Sequence, residues 1–217
     1  MRLVFLGAPG SGKGTQARRL MDEYASPQIS TGDLLRAAVA DGSELGKKAK
    51  AAMDAGELVA DDIVIGMIRE RLHQKDTQYG FILDGFPRSL AQAEALDEML
   101  AEEGKPLHKA VLLDVDMDGL VKRLTGRRTC SQCGHLYNVY YNPPKKEGVC
   151  DHDSAELQHR ADDNVETITS RMDVYQKQTE PLVKYYEGQG ILERVDGDGE
   201  MNEVYRRIQK AIGEAAG

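Results

Sequence analysis

An α/β fold is expected, with a parallel five-stranded sheet flanked by helices, and three observations carry that expectation. Short apolar runs alternate with longer stretches of helical spacing. The runs are apolar throughout instead of alternating, as strands covered on both faces are. The first run, Arg2-Leu3-Val4-Phe5-Leu6, ends in the glycine-rich stretch Gly7-Ala8-Pro9-Gly10-Ser11-Gly12-Lys13-Gly14-Thr15. Backbone N–H groups of such a turn, opening a helix, converge on an anion. The spacing comes close to G-x-x-x-x-G-K-[ST], except that Gly14 follows the lysine and the hydroxyl arrives at Thr15. Lys13 is placed to reach outer phosphates, so the chain handles a nucleotide or another polyphosphate.

Four more runs complete the sheet: Gln28-Ile29, Phe81-Ile82-Leu83, Ala110-Val111-Leu112-Leu113, and Ile191-Leu192 with Val195. Between them Val64, Met67, Ile68 and Leu72 share a helical face, as do Leu96 with Leu100, and Val204, Ile208 and Ile212. Two stretches stand apart. Residues 30–59 are alanine-rich and without a strand, and glycines at 42, 46 and 56 are expected to break them into short helices. Residues 126–163 hold all three cysteines, Pro143-Pro144 and three of the five histidines, and read as a small β-rich insertion. The division is therefore a core of 1–29, 60–125 and 164–217, with two lobes of 30–59 and 126–163.

With 217 residues, 41% of them hydrophobic, the chain can bury a sizeable core. No apolar run is long enough for a membrane span, and Met1-Arg2 leads straight into a strand with no signal-peptide pattern. A net charge of −8 argues against nonspecific nucleic-acid binding, which needs a basic surface. Three cysteines, two of them spaced C-x-x-C, suit a reducing, cytoplasmic setting and a metal better than disulfides.

Several motifs lie at the predicted C-terminal edge of the sheet, where ligands of such folds bind. In Ser30-Thr31-Gly32-Asp33-Leu34-Leu35-Arg36, Ser30 or Thr31 caps a helix and Asp33 sits in its first turn. In Asp84-Gly85-Phe86-Pro87-Arg88, Asp84 ends an apolar strand beside the glycine turn, a position suited to a hydrated Mg2+. Arg88 follows a proline-stiffened turn and suits bidentate phosphate recognition. Arg123 and Arg127, four apart, are expected on one helix face. Cys130-x-x-Cys133 and Cys150-x-x-Asp153 form two knuckles with the spacing of a closed tetrahedral zinc site, with His152 and His135 as alternative donors. Such a metal would be structural, since a lobe this small buries little apolar surface.

GAPGSGKGTQ, STGDLLR, LDGFPR with Gln92, LTGRR, and RADDN with Arg171 occur together and in order. On that set the chain resembles the nucleoside monophosphate kinases over nearly its whole length. Thr31 and the long segment between Arg127 and Arg160 resemble the long-lid, zinc-type adenylate kinases. The resemblance implies a P-loop NTPase-like core, an AMP-binding lobe at 30–59, a lid at 126–163, and Mg2+-dependent transfer of the γ-phosphoryl of ATP to AMP, giving two ADP. It assigns ATP to Gly10, Ser11, Gly12, Lys13, Gly14, Thr15, Arg123, Arg127, Leu136, Tyr137 and Gly199. It assigns AMP to Thr31, Arg36, Glu57, Leu58, Val59, Gly85, Phe86, Pro87, Arg88, Gln92, Arg160 and Arg171. Lys13, Arg88, Arg123, Arg127, Arg160 and Arg171 are the implied catalytic cations, with Asp84 holding Mg2+ through water and Zn2+ in the lid. Asp162 and Asp163 are expected to orient arginines. Tyr137 and Tyr141 either stack on a base or pack the small lobe. A monomer serving adenine nucleotide homeostasis in the cytoplasm is implied.

Overall fold

In the computed structural model, which describes residues 1–213, the apolar runs pair as a parallel sheet. The strands are β1 (Arg2–Leu6), β2 (Gln28–Ser30), β3 (Phe81–Asp84), β4 (Lys109–Asp114) and, after three short strands of the insertion, β8 (Leu192–Asp196), in the order β2-β3-β1-β4-β8. Val4 stands opposite Leu83 on one side and Ala110 on the other. Successive side chains of a strand point to opposite faces, so each run feeds two cores. Val4, Leu6, Leu83, Ala110 and Leu112 pack on one face. Leu3, Phe5, Ile82, Val111 and Leu113 pack on the other.

The helices around the sheet follow the predicted spacings. The face bearing Leu3 is covered by α1 (Lys13–Tyr24) and, at the chain's end, α9 (Met201–Ile212), through Ala17, Leu20, Val204, Ile208 and Ile212. The opposite face takes α4 (Asp61–Leu72) and α5 (Leu90–Glu102), through Val64, Ile68, Leu96 and Leu100, together with Leu182 and Tyr186 of α8 (Leu182–Gly188). The predicted core extends to residue 217, and its last four positions lie outside the described residues.

Residues 30–59 form α2 (Thr31–Ala40) and α3 (Glu44–Ala55). Ser30 provides the cap, its hydroxyl accepting from the Asp33 amide. Gly42 lies in the turn and Gly56 ends α3, but Gly46 does not break a helix as expected. It lies inside α3, where a Cβ would come 2.0 Å from the Ala38 carbonyl oxygen. The missing side chain permits close helix packing there.

After α6 (Leu120–Thr125), the insertion forms a three-stranded antiparallel sheet of β5 (Arg127–Cys130), β6 (Leu136–Asn138) and β7 (Leu157–Gln158). The expected shared helix face for Arg123 and Arg127 is wrong. The helix ends at Gly126, so Arg127 opens β5 and only Arg123 is helical. Past the insertion, α7 (Val165–Val174) is capped by Asn164 and runs into a π-type stretch, Tyr175–Thr179, before α8.

Candidate active site

Gly7 adopts φ +140°, and a Cβ there would lie 2.7 Å from the Leu113 carbonyl oxygen, so the turn that follows β1 needs glycine. Gly12 then caps α1 in the left-handed region, and Lys13 begins the helix. The Lys13 ammonium donates to the carbonyls of Gly7 (2.7 Å) and Ala8 (2.9 Å). Burial pulls its pKa down to about 8, against the counter-pull of Asp84. Asp84 ends β3 with its carboxylate over the first turn of α1. Its Oδ2 accepts from Gln28 Nε2 at 3.0 Å.

Two adjoining cavities open at this edge, of about 620 and 60 Å3. All seven cations expected to act, Lys13, Arg36, Arg88, Arg123, Arg127, Arg160 and Arg171, line the larger. Three of them, Arg36, Arg88 and Arg171, also line the smaller, so guanidinium groups occupy the junction. Gly10, Ser11, Gly12, Gly14, Thr15, Asp84, Leu136, Tyr137, Pro87 and Gly199 line the larger cavity, while Thr31, Glu57, Val59 and Gln92 line the smaller. Leu58 and Gly85 line both. Phe86 lines neither: its ring is fully buried in the main core.

Carboxylates hold these cations in place. Arg127 Nε donates to Asp163 at 2.8 Å, and its second nitrogen pairs with the other oxygen of the same carboxylate, whose side chain is fully buried. Arg171 donates to Asp162 at 3.0 Å. Arg36 pairs with Asp33 at 2.7 Å and lies 3.9 Å from Asp162, and Arg160 reaches Asp33 at 3.6 Å. Burial and mutual repulsion bring Arg160 and Arg171 down to about 10. Asp162 is also lowered, for a different reason: burial opposes its ionisation, yet the surrounding guanidinium groups hold it below the usual carboxylate range. Guanidinium groups so crowded are preorganised for an anionic ligand.

The segments bearing them already touch. Arg18 of α1 donates to the Cys133 carbonyl at 2.8 Å, and Thr167 of α7 donates to the Asp54 carbonyl at 3.0 Å. Tyr137 is committed to the insertion's interior. Its hydroxyl accepts from the Asp151 amide at 2.8 Å and sits 3.6 Å from Cys150 Sγ. Tyr141 is exposed, with the Arg123 guanidinium 5.9 Å from its ring centre.

Cys130, Cys133, Cys150 and Asp153 offer four ligand atoms, all within 4.8 Å of one another. The Cys133 and Cys150 sulfurs are 3.7 Å apart, and Cys130 Sγ lies 3.3 Å from both Asp153 oxygens. Tetrahedral ligands with zinc–sulfur bonds near 2.3 Å stand about 3.5–3.8 Å apart, so the donor set fits zinc. The His135 and His152 rings lie 4.3 Å apart with their planes tilted by 50°, and neither belongs to this cluster.

Sequence reasoning missed three supporting groups. Asp61 accepts from Gln92 Nε2 at 2.7 Å. Gln28 holds Asp84, and Thr179, carried by the π-type stretch, donates to the Arg88 carbonyl at 2.9 Å. None lies near its partner in the chain, so no local pattern could reveal them.

A family model described as adenylate kinase matches residues 5–191. The chain is 62% identical over 208 residues to the adenylate kinase of Thermodesulfovibrio yellowstonii, covering 96% of this chain and 97% of that one. It is 60% identical to that of Nitrosococcus oceani over 213 residues, covering 98% of each, and 54% identical to that of Archaeoglobus fulgidus over 212, again covering 98% of each. The chain belongs to the adenylate kinase family, nucleoside monophosphate kinases whose reaction is ATP + AMP = 2 ADP.

Proposed function

We propose that this chain transfers the γ-phosphoryl group of ATP to AMP by drawing cations from three pieces onto one point. The observation that carries the reading is that cations from all three pieces line the larger cavity, which meets the smaller one at Arg36, Arg88 and Arg171. ATP takes the larger cavity, its phosphates on Gly10 through Thr15 and its base toward Arg123, Leu136, Tyr137 and Gly199. AMP takes the smaller, its phosphate on Arg36 and Arg88, its base on Gln92, and Thr31, Glu57, Leu58, Val59, Gly85 and Pro87 around it.

An AMP phosphate oxygen forms the new bond to the γ-phosphorus as the bond to the β–γ bridging oxygen breaks, and that electron pair stays on ADP. The attacking oxygen is already anionic, so no strong general base is required. Lys13, Arg123, Arg127, Arg160 and Arg171 offset the charge on the transferring group, while Arg88 orients the acceptor. Mg2+ bound with ATP supplies further charge neutralisation, with Asp84 the residue facing it through water. The backbone at Phe86, not its buried ring, is what remains to meet AMP. Residues 30–59 and 126–163 act as AMP lobe and lid, closing over the substrates and excluding water. Zn2+ on Cys130, Cys133, Cys150 and Asp153 is structural.

The activity test is ADP formation from ATP plus AMP, with and without Mg2+, alongside zinc analysis. Rapid turnover with AMP and far slower turnover with CMP, UMP and GMP is expected. A preference for another acceptor would reassign the chain within the nucleoside monophosphate kinases. No described helix is long and apolar enough to cross a membrane. We place the enzyme in the cytoplasm as a monomer, which light scattering checks.

A further inference from the structure

Gln92 is 2% exposed, and its amide is held at both ends by partners of fixed polarity. Its Oε1 accepts from the Arg88 backbone N–H at 2.7 Å, and its Nε2 donates to Asp61 Oδ1 at 2.7 Å. A backbone N–H can only donate, and an ionised carboxylate can only accept. Turning the amide over would set N–H against N–H at Arg88 and oxygen against carboxylate at Asp61. The orientation is therefore fixed by the network and not left to the ligand. Asp61 is itself anchored. The Ser89 hydroxyl donates to both its oxygens at 3.1 Å, and Ser89 in turn accepts from the Gln92 backbone N–H at 3.2 Å.

We propose that Asp61, the first residue of α4 and not part of the cavity lining, is the positioning residue that makes this site read a 6-aminopurine. The inference rests on the reading that the smaller cavity takes the acceptor base. Once Asp61 and Arg88 have taken one N–H and one lone pair, Gln92 keeps one of each. Adenine offers a donor at its 6-amino group and an acceptor at N1, which complement that remaining pair. Hypoxanthine carries a 6-oxo acceptor and an N1–H donor, so it meets both positions with the wrong polarity. Buried polar groups left unpaired are what lets a site reject such an analogue.

The test compares AMP with inosine monophosphate, which differs at those two positions only. In Asp61→Asn the side chain offers either an oxygen or an NH2, so position 61 no longer opposes the turned-over Gln92 amide and only the Arg88 backbone N–H still does. The ratio of kcat/KM for AMP over inosine monophosphate should fall about tenfold, the worth of one hydrogen bond. KM for ATP should stay within twofold. Asp61→Ala, where water can take either role, should move the ratio the same way, and it serves if the Asn variant folds poorly. Ser89→Ala keeps both bonds to the Gln92 side-chain amide and loses only the cap to the Gln92 backbone N–H and the anchor on Asp61, so the melting point should drop with the ratio unchanged. An unchanged ratio in both Asp61 variants, or equal loss with both acceptors, overturns the proposal. Gln92→Ala separates this from the underlying reading. If that variant also leaves the ratio unchanged, the base is not read in the smaller cavity at all.

Discussion

Residues 30–59 and 126–163 each carry cations to the larger cavity, Arg36 from the first and Arg127 and Arg160 from the second. They are built by different means. Leu35 and Ala49 of the helical segment, with Val59 at its end, belong to the main hydrophobic core, continuous with the sheet. The insertion has a small core of its own, in which Cys130, Tyr137, Cys150 and Leu157 are buried and Ala155 packs at the edge. Two of the four buried residues are proposed metal ligands. The helical segment thus takes its stability from apolar burial shared with the body. On the proposed zinc reading, the insertion depends on its metal ligands and on the Arg127–Asp163 pair at its base. Four apolar side chains contribute little next to the cost of ordering 38 residues (126–163).

The largest expected effect breaks the comparison at its cations. Arg127→Ala should lower kcat by 10^2–10^3, the usual cost of removing one donor to a developing charge. It should also lower stability by about 3–5 kcal/mol, because Asp163 is left buried with its nearest remaining ion-pair partner, Arg171, at 3.6 Å. Arg36→Ala, from the other segment, should raise KM for AMP and leave KM for ATP alone, since its partner Asp33 is exposed. Steady-state kinetics against each substrate, with melting curves, checks both. Equal effects on the two KM values would erase the division between the segments.

How much of this was legible in the sequence follows the same divide between local and distant contacts. Glycine turn, apolar runs and helix caps are local features, so the five strands, Ser30 and Lys13 could be read directly. Arg88 could be read from its proline-stiffened turn, while the other arginines are assigned through the motif set that carries the family resemblance. What could not be read depends on meetings across the chain. Asp61 lies 31 positions from Gln92, and Thr179 lies 91 from Arg88. Gly46 looked like a helix breaker because its sequence context omits Ala38 above it. Arg127 looked helical because a spacing of four says nothing of Gly126 ending the helix first. Phe86 sits in a motif proposed to meet AMP, while its ring belongs to the core.

Removing the metal comes next. Chelation, or Cys130→Ser, should lower the melting temperature by roughly 10 °C, as loss of several kcal/mol does in a chain of this size. Activity measured in the cold should fall less. The loss should appear as exchange-labile backbone in 126–163, with 30–59 still protected. Hydrogen exchange followed by mass spectrometry reads both segments at once. An unaltered melting curve would mean the insertion holds itself together without zinc.

The body shared by both segments contributes a pH effect. Lys13 is held near pKa 8 by burial, so the free enzyme loses that charge as pH rises through about 8. kcat/KM for ATP, which reports the free enzyme, should fall about tenfold per pH unit above it. Stability should move the opposite way. A buried amine whose pKa is lowered opposes folding while charged, so this group's penalty is present below pH 8. It fades as pH climbs toward the unfolded value near 10.4. Activity and stability diverging over that window would distinguish Lys13 from general alkaline unfolding, in which both fall together.

The smallest effect sharpens the helical side. Gly46→Ala adds one methyl where a Cβ would meet Ala38 oxygen at 2.0 Å and Val39 nitrogen at 2.7 Å. Backbone cannot yield as a side-chain tip can, so α3 must shift away from α2. Overpacking of this kind costs about 1–3 kcal/mol. Val59, which lines the smaller cavity, shares one apolar core with Leu35 of α2 and Ala49 of α3, so KM for AMP should rise a few-fold. KM for ATP and zinc content should stay as they were. A helix propensity gain of about 1 kcal/mol from alanine works against the loss, which is why the net change is modest. If the variant is instead more stable with KM unchanged, α2 and α3 are not packed as tightly as their backbones stand, and the helical segment's stability does not come from burial.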